Sequence, residues 1–147
     1  MTGPAWTLTS LYSALSASEA QGAGDLSARL LDDHGDQHSP VLLVTMRSHG
    51  DLEIYVDVNA SQITASTLLW PCDDQPDRNA FNEFLLRTQK VMPLSNFGIV
   101  AIRGRDFYEL CGELATTSSI DEVLIELHTL AENAIVAATD LHAKSAV

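Results

Sequence analysis

The chain has 147 residues, of which 46% are hydrophobic and 19% are charged, as in an ordinary globular domain rather than a disordered segment. Its formal net charge is −12, with only eight lysines and arginines. DNA, RNA and anionic membranes are polyanions whose binding needs many basic side chains, so this balance argues against nucleic acid and membrane surfaces as partners.

The cysteines and the apolar runs indicate the cellular compartment. Cys72 and Cys111 stand far apart and form neither a disulfide ladder nor a Cys-x-x-Cys pair, as a reducing compartment permits. No apolar run reaches the ~18–20 residues of a membrane span, and no leader-like apolar segment stands at the N-terminus. We therefore expect a cytoplasmic protein without direct membrane insertion.

The first 38 residues are predicted to form a polar N-terminal helix and a flexible linker. Apolar residues recur at helical spacing from Thr9 to Ala17, which predicts a short helix. Two glycines and an acidic run follow, and Leu26, Leu30 and Leu31 within this stretch favour an extension of the helix or an added turn. We expect one domain overall, with the α+β core in residues 39–147.

From residue 40 the pattern changes to the two-residue period of β-strands. The stretch 41–47 is rich in strand formers, and Gly50 suits the turn that follows because glycine adopts positive φ readily. Between Asp51 and Val58 apolar and polar residues alternate strictly, which is typical of an antiparallel strand with one buried and one wet face. A further turn leads to a third strand from Ile63 to Trp70.

A second helix and a hairpin are predicted next. Asp77 follows a polar linker and can cap a helix that runs from Arg78 to Met92. Pro93 ends that helix, because proline lacks an N–H and restricts the residue before it. Residues 97–103 and 106–114 then form a predicted hairpin around Gly104.

The last helix carries the strongest local signal. Ser119 and Glu122 form a capping box, in which serine accepts a hydrogen bond from the Glu122 N–H and the glutamate reaches back. From Ile120 to Ala138 the apolar residues make one broad stripe, and acidic residues such as Glu126 are expected on the solvated side. The predicted order is α-β-β-β-α-β-β-α, an α+β fold with helices packed on an antiparallel sheet.

One cluster in the linker resembles a metal site. His34 and His38 stand four residues apart with Asp33 and Asp36 beside them, and imidazole and carboxylate groups are zinc ligands. Gly35 between the histidines argues for a loop rather than a chelating helix, so a solvated polar linker is the favoured interpretation. We expect no cofactor, and His34, His38 and Asp36 are the weak metal candidates.

Catalysis has little support in the sequence. Cys72 neighbours Asp73 and Asp74, whose negative charge raises a thiol pKa and disfavours the thiolate. Glu109 and Glu113 share one face of a predicted strand, yet paired carboxylates catalyse only when burial or crowding makes one a much weaker acid than the other. No phosphate loop, hydrolase elbow or metalloprotease motif occurs, so we expect no enzyme.

Six residues are candidate contacts with a partner. Trp70 ends a strand just before Pro71, and we favour a place in the core, although tryptophan is also enriched at partner surfaces. The junction of the second helix with the fourth strand is a place where small α+β domains can dimerise, and the last helix adds acidic charge. The candidates are Trp70, Met92, Leu94, Phe97, Glu122 and Glu126.

Four segments of the chain resemble a known bacterial family. They run from Met92 to Gly98, from Tyr108 to Leu114, from Thr117 to Val123 and from Leu130 to Ala134. Together they resemble the YjfI family, bacterial proteins grouped as a domain of unknown function, over about residues 40–140. The patterns Pro-Leu-Ser-x-Phe-Gly and Thr-Leu-Ala-Glu-Asn-Ala are specific in combination, and each alone is weak.

The resemblance implies no catalytic residues and an accessory role, because members are often associated with phage-shock-protein-A-like membrane-stress proteins. The element order also resembles the type III secretion chaperone fold, whose small acidic dimers bind extended client segments. We therefore predict a non-enzymatic protein-interaction module, chaperone-like or adaptor-like, that forms a homodimer and offers an exposed sheet edge to a client strand. Its acidic surface would favour basic or amphipathic partners. The alternative is a small-molecule- or metal-binding regulatory protein.

Overall fold

The structure, a computed structural model, describes residues 4–18, 25–31 and 40–142. Within these ranges the chain forms three α-helices and six β-strands. The helices and strands, in chain order, are α1 (Leu8–Ser18), β1 (Leu26–Leu31), β2 (Val41–Met46), β3 (Leu52–Val58), β4 (Gln62–Pro71), α2 (Arg78–Thr88), β5 (Asn96–Ile102), β6 (Arg105–Ala115) and α3 (Ile120–Asp140). The α+β class predicted from the sequence is confirmed.

All six strands join one antiparallel sheet in the order β1-β2-β3-β4-β6-β5. Strands β1 and β5 are therefore its two edges. α1 packs against β1 and β2, while α3 crosses β3, β4 and β6. The core lies between these helices and the sheet, and its largest fully buried side chains are Tyr108, Leu11, Leu15, Leu42, Met46, Ile54, Leu110, Leu127 and Leu130.

The opposite face of the sheet, which we call the open face, is covered by none of the described helices. It carries polar and acidic side chains from the central strands: Glu53, Tyr55, Asp57, Glu109, Cys111 and Glu113. The strict alternation of β3 produces this division, because Ile54 and Val56 are buried while Glu53, Tyr55 and Asp57 are exposed. The prediction of one buried and one wet face for β3 is confirmed.

The first strand of the sheet, β1, was not predicted, so the element order gains one strand before β2. Residues 26–31 pair with β2 over their whole length, from Leu26 opposite Met46 to Leu31 opposite Val41. The expectation that Leu26, Leu30 and Leu31 extend the helix or add a turn is therefore wrong. Leu26, Ala28 and Leu30 lie on the core side of the strand, and the backbone gains a full ladder of hydrogen bonds with β2.

The second helix is shorter than predicted. α2 begins as expected with Asp77, whose side chain accepts from the Ala80 N–H, but it ends at Thr88 rather than Met92. Residues 89–91 form a single 3₁₀ turn, in which the Val91 side chain is 78% exposed. The Gln89 side chain accepts a hydrogen bond from the Phe97 N–H at 2.7 Å, so this turn ties the end of α2 to the start of β5.

The predicted hairpin and the predicted cap of the last helix are both present. Arg103 and Gly104 have φ values of 51° and 78°, the left-handed pair that a two-residue type I′ turn requires between β5 and β6. The Ser119 hydroxyl accepts from the Glu122 N–H at 3.1 Å and starts α3. The Glu122 carboxylate accepts from the Ser119 hydroxyl rather than reaching the backbone N–H of that residue. None of the described helices is long and apolar enough to cross a membrane.

Candidate functional site

Trp70 lies in the core and is not a surface anchor. Its side chain is 3% exposed and stacks on His142 with ring centroids 4.4 Å apart. Phe81 and Tyr108 contact its other sides, at centroid distances of 6.3 and 6.0 Å. Trp70 is therefore a core residue, as the sequence favoured, and it is not available as a contact with a partner.

Glu126 is also buried, contrary to its expected place on the solvated side of the last helix. Its side chain is 3% exposed, and its Oε1 atom has no hydrogen-bond partner among the described residues. The carboxylate fits because it lies over Gly112, where a Cβ atom would meet Oε1 at 1.8 Å. Burial, followed by the negative charge of Glu113, raises the pKa of Glu126 above its usual range. Glu126 therefore belongs to the interior, while Glu122 remains exposed.

Two of the segments that carry the family resemblance meet beside Glu126. The Asn133 side chain donates to the Pro93 carbonyl at 2.8 Å and to the Ser95 hydroxyl at 3.0 Å. Between these acceptors Leu94 adopts φ 63°, a strained value for a residue with a Cβ. Helix α3 thus fixes the connection that leads from α2 into β5.

The remaining candidate contacts surround that connection. Leu94 is exposed, whereas Met92 and Phe97 are half-buried against the core. Phe97 also lines a groove between α2 and the edge strand β5, which we call the α2–β5 groove. Its volume is 270 Å³, and its lining residues are Asn82, Leu85, Leu86, Phe97, Gly98, Ile99 and Tyr108.

The α2–β5 groove has an apolar wall on each side. Leu86 on α2 is 72% exposed, and Ile99 on β5 is 48% exposed. The Tyr108 hydroxyl at the base of the groove donates to Asn82 Oδ1 at 2.5 Å, so this polar group is already satisfied. The groove therefore offers chiefly hydrophobic contact.

Strand β5 borders this groove with its open edge. In a two-residue hairpin the residues next to the turn form a hydrogen-bonded pair, so Ile102 directs its backbone groups toward Arg105. Alternation then directs the backbone groups of Ile99 and Ala101 away from β6, toward the edge. Phe97 follows the same alternation, so its backbone N–H also points toward the edge, where it donates to the Gln89 side chain. The edge thus presents main-chain donors and acceptors directly beside an apolar groove.

The cysteines lack the environment of a reactive thiol. Burial raises the pKa of Cys72, which is fully enclosed. Cys111 on the open face donates to Glu109 Oε1 at 3.2 Å, and burial together with that carboxylate raises its pKa to about 12. Both thiols are held protonated at neutral pH, which is the opposite of what a nucleophile needs.

The weak metal candidates His34, His38 and Asp36 lie outside the described residues. In the part of the chain that the structure describes, no three His, Cys, Asp or Glu side chains group as metal ligands would. His49 forms a polar contact at the surface, where its Nε2 lies 3.0 Å from Glu132 Oε2.

The α2–β5 groove was not predicted from the sequence. The available signal was β5 itself, which is apolar on both faces: Phe97, Ile99 and Ala101 alternate with Gly98, Val100 and Ile102. A strand with two apolar faces is usually buried in the middle of a sheet. This strand stands at an edge, so part of its apolar surface remains exposed.

One protein family and two individual proteins match the sequence of this chain. Residues 5–144 match the family described as "Uncharacterized protein conserved in bacteria (DUF2170)". The chain is 35% identical over 94 residues to "Uncharacterized protein YjfI" of Escherichia coli strain K12, and the same values hold for the protein of that name in Escherichia coli O157:H7. The aligned region covers 64% of this chain and 71% of each relative. The chain therefore belongs to the DUF2170 family, to which its resemblance to YjfI pointed.

Proposed function

We propose that the chain is a non-enzymatic protein-interaction module, chaperone-like or adaptor-like, that takes an extended segment of a partner at the edge of β5. The observation that carries the proposal is an apolar groove directly beside an open strand edge. Main-chain hydrogen bonds to an added strand provide affinity, and a groove for its alternate side chains provides selectivity. Unprotected apolar edge strands are otherwise a liability for aggregation, which favours a functional role for this one.

The test is affinity capture with the tagged full-length chain in two matched variants. Ile99→Lys places a charge in the α2–β5 groove, whereas Leu68→Lys changes a residue of similar exposure, 39%, on the open face of β4. We expect Ile99→Lys to lose a partner that both the wild type and Leu68→Lys retain. Equal retention by both variants would refute docking at β5.

A phage-shock-protein-A-like protein is the first candidate to look for in that capture, on the strength of the family association alone. Glu126 is buried, so reversing its charge would destabilise the fold and would not test a surface contact.

We further propose that the chain is a homodimer. Light scattering at micromolar concentration should then return twice the chain mass of 15.9 kDa. Exposed apolar residues on α3, namely Ile125, Ile135 and Val136, offer a surface for this contact away from β5. A mass of 15.9 kDa would remove the dimer from the proposal and leave the β5 site unaffected.

The alternative, a regulator that binds a small molecule, has one observation in its favour. The groove volume of 270 Å³ is close to the lower end, about 300 Å³, of common ligand pockets. A tight apolar ligand present in excess should raise the thermal midpoint by several degrees, and Ile99→Lys should abolish that rise. Failure of a broad apolar ligand library to shift the midpoint would favour the interaction module.

A further inference from the structure

We infer that the partner segment at β5 is acidic, an extended strand whose apolar side chains enter the α2–β5 groove and whose carboxylates lie near Lys90 and Arg103. This inference rests on the proposed function and names the class of its partner. It also reverses the expectation, drawn from the overall charge of −12, that partners are basic.

Basic residues are concentrated around the groove. Residues 78–105 contain five of the eight basic side chains in the chain but only one acidic residue, Glu83. Their net charge is +4 in a protein whose total is −12. Three of these cations are paired with acidic residues, two of which lie just outside the segment: Arg78 with Asp106, Arg87 with Glu83 and Arg105 with Asp73.

Two of these cations, Lys90 and Arg103, flank the open edge. Lys90 lies in the 3₁₀ turn that leads into β5, and Arg103 lies in the turn that follows it. Both are exposed, and neither forms an ion pair with a described residue. By contrast Arg78 pairs with Asp106 at 2.7 Å and Arg87 with Glu83 at 2.7 Å.

The acidic residues of the sheet lie on its other side, except Asp106, which lies on the groove side and pairs with Arg78. Glu109 stands opposite Gly98 on the open face, where it accepts from Cys111, whereas Phe97 and Ile99 face the groove. In a strand added at β5, the apolar side chains would contact Leu86 and Ile99. Carboxylates just beyond the two ends of that strand would lie next to Lys90 and Arg103. This is complementary in both charge and polarity.

A second copy of the chain is a poor occupant of the edge. Two β5 strands pairing antiparallel would bring the end of one strand next to the start of the other. Arg103 of each copy would then approach Lys90 of the other, and like charges across an interface oppose association. The cations therefore select against self-pairing while they attract an acidic segment.

The acidic linker of the same molecule cannot reach the site. Eight residues, 32–39, separate β1 from β2, so they extend at most about 14 Å from the sheet before they must return. Strand β5 lies four strand spacings from β2, which is about 19 Å. The linker 32–39 therefore does not supply the occupant, and the proposal assigns it to another polypeptide.

The experiment uses the full-length chain and synthetic strands as long as β5, seven residues. Three peptides share one alternating segment of that length, with apolar residues and glutamines, and carry glutamate, glutamine or lysine in the residues that flank it at both ends. Fluorescence anisotropy measures their affinity, and amide hydrogen exchange at Ile99 and Ala101 reports whether they occupy the edge. We expect the glutamate peptide to bind about tenfold more tightly than the glutamine peptide at low salt, with both amides protected. This advantage should disappear at about 1 M salt.

Variants then test the two cations. Lys90→Glu with Arg103→Glu should reverse the order of the glutamate and lysine peptides. Arg29→Glu, on the opposite edge strand β1, is the matched control and should leave the order unchanged. Circular dichroism checks that each variant folds.

The outcomes separate the two proposals. Tighter binding of the lysine peptide with protection of Ile99 and Ala101 would overturn the acidic class but leave the interaction site intact. Absence of protection by any peptide would overturn the β5 site itself. Protection that grows with protein concentration without peptide would identify a second copy as the occupant and contradict the inference.

Discussion

At the scale of single residues, Glu126 is the side chain whose environment conflicts most with its charge. The carboxylate is enclosed between α3 and β6, one of its oxygens lacks a hydrogen-bond partner among the described residues, and Glu113 adds a like charge. A raised pKa means that the folded state holds the proton more tightly than the unfolded state. Stability from this group is therefore complete below the ordinary pKa of 4.5 and is lost as pH rises through the folded-state pKa.

Replacing Glu126 with glutamine removes this titration while nearly preserving shape. We expect Glu126→Gln to gain about 1–3 kcal/mol relative to the wild type between pH 4 and pH 7, because only the wild type must bury a charge at the higher pH. Urea unfolding of both proteins at the two pH values measures the difference, and the other carboxylates cancel in the comparison. A difference in unfolding free energy between the two proteins that did not change with pH would contradict the raised pKa of Glu126.

Gly112 is the residue that makes room for Glu126. An added Cβ would lie 1.8 Å from Glu126 Oε1 and 3.2 Å from the Leu94 carbonyl oxygen, so Gly112→Ala should destabilise the fold by about 1–3 kcal/mol. Gly98→Ala, where the nearest atom is 3.2 Å away on the half-buried Glu109, should cost less. Urea unfolding measures both, and combining Gly112→Ala with Glu126→Ala should cost less than the sum of the single changes. Strict additivity would show that the two residues do not compete for space.

The position of Glu126 could not be predicted from local sequence. Helical periodicity correctly places Val123, Leu127 and Ala131 in the core, and it groups Glu126 with the acidic, solvated side. Its burial depends on the missing side chain of Gly112, which is distant in sequence and meets Glu126 only after α3 packs on β6. Trp70 is the opposite case, because its size and its place at a strand end favoured the core that it occupies.

At the scale of elements, the connection from α2 to β5 depends on α3. Asn133 holds Pro93 and Ser95 through two hydrogen bonds, and these position the start of the edge strand. Asn133→Ala should cost about 1–2 kcal/mol and speed hydrogen exchange from Ser95 into β5. Asn59→Ala is the matched control, since Asn59 accepts hydrogen bonds from Ser61 and Gln62 in the β3–β4 turn.

The control separates a local effect from a general loss of stability. Asn59→Ala should destabilise the fold without a selective change in exchange at β5. If the two variants altered exchange at Ile99 equally, the proposed role of Asn133 in positioning β5 would be wrong.

Most elements of the fold were predictable because their signals are local. The alternation of β3, the cap of α2 at Asp77 and the capping serine of α3 each depend on residues a few positions apart. Strand β1 was missed because Leu26, Leu30 and Leu31 also fit helical spacing, and only pairing with β2 decides between the two periods. The α2–β5 groove was missed because a strand order with β5 at the edge is set by tertiary contacts.

At the scale of the whole molecule, charge and apolar surface are distributed unevenly. The acidic residues of the open face lie on one side, and the groove with its flanking cations lies at the edge that β5 forms. The net charge of −12 conceals this division, because it averages a basic segment with a strongly acidic remainder. An overall charge therefore predicts solubility and excludes polyanions more safely than it predicts the chemistry of a local partner.

Amide hydrogen exchange of the full-length chain, alone and with its captured partner, tests the central claim most directly. The account predicts that the amides of Ile99 and Ala101 exchange at least about tenfold more slowly in the complex, because an added strand would take their hydrogen bonds. The edge amides of β1 provide the internal control and should remain unchanged. Protection elsewhere on the molecule, with Ile99 and Ala101 unaffected, would contradict the account and place the interaction surface away from β5.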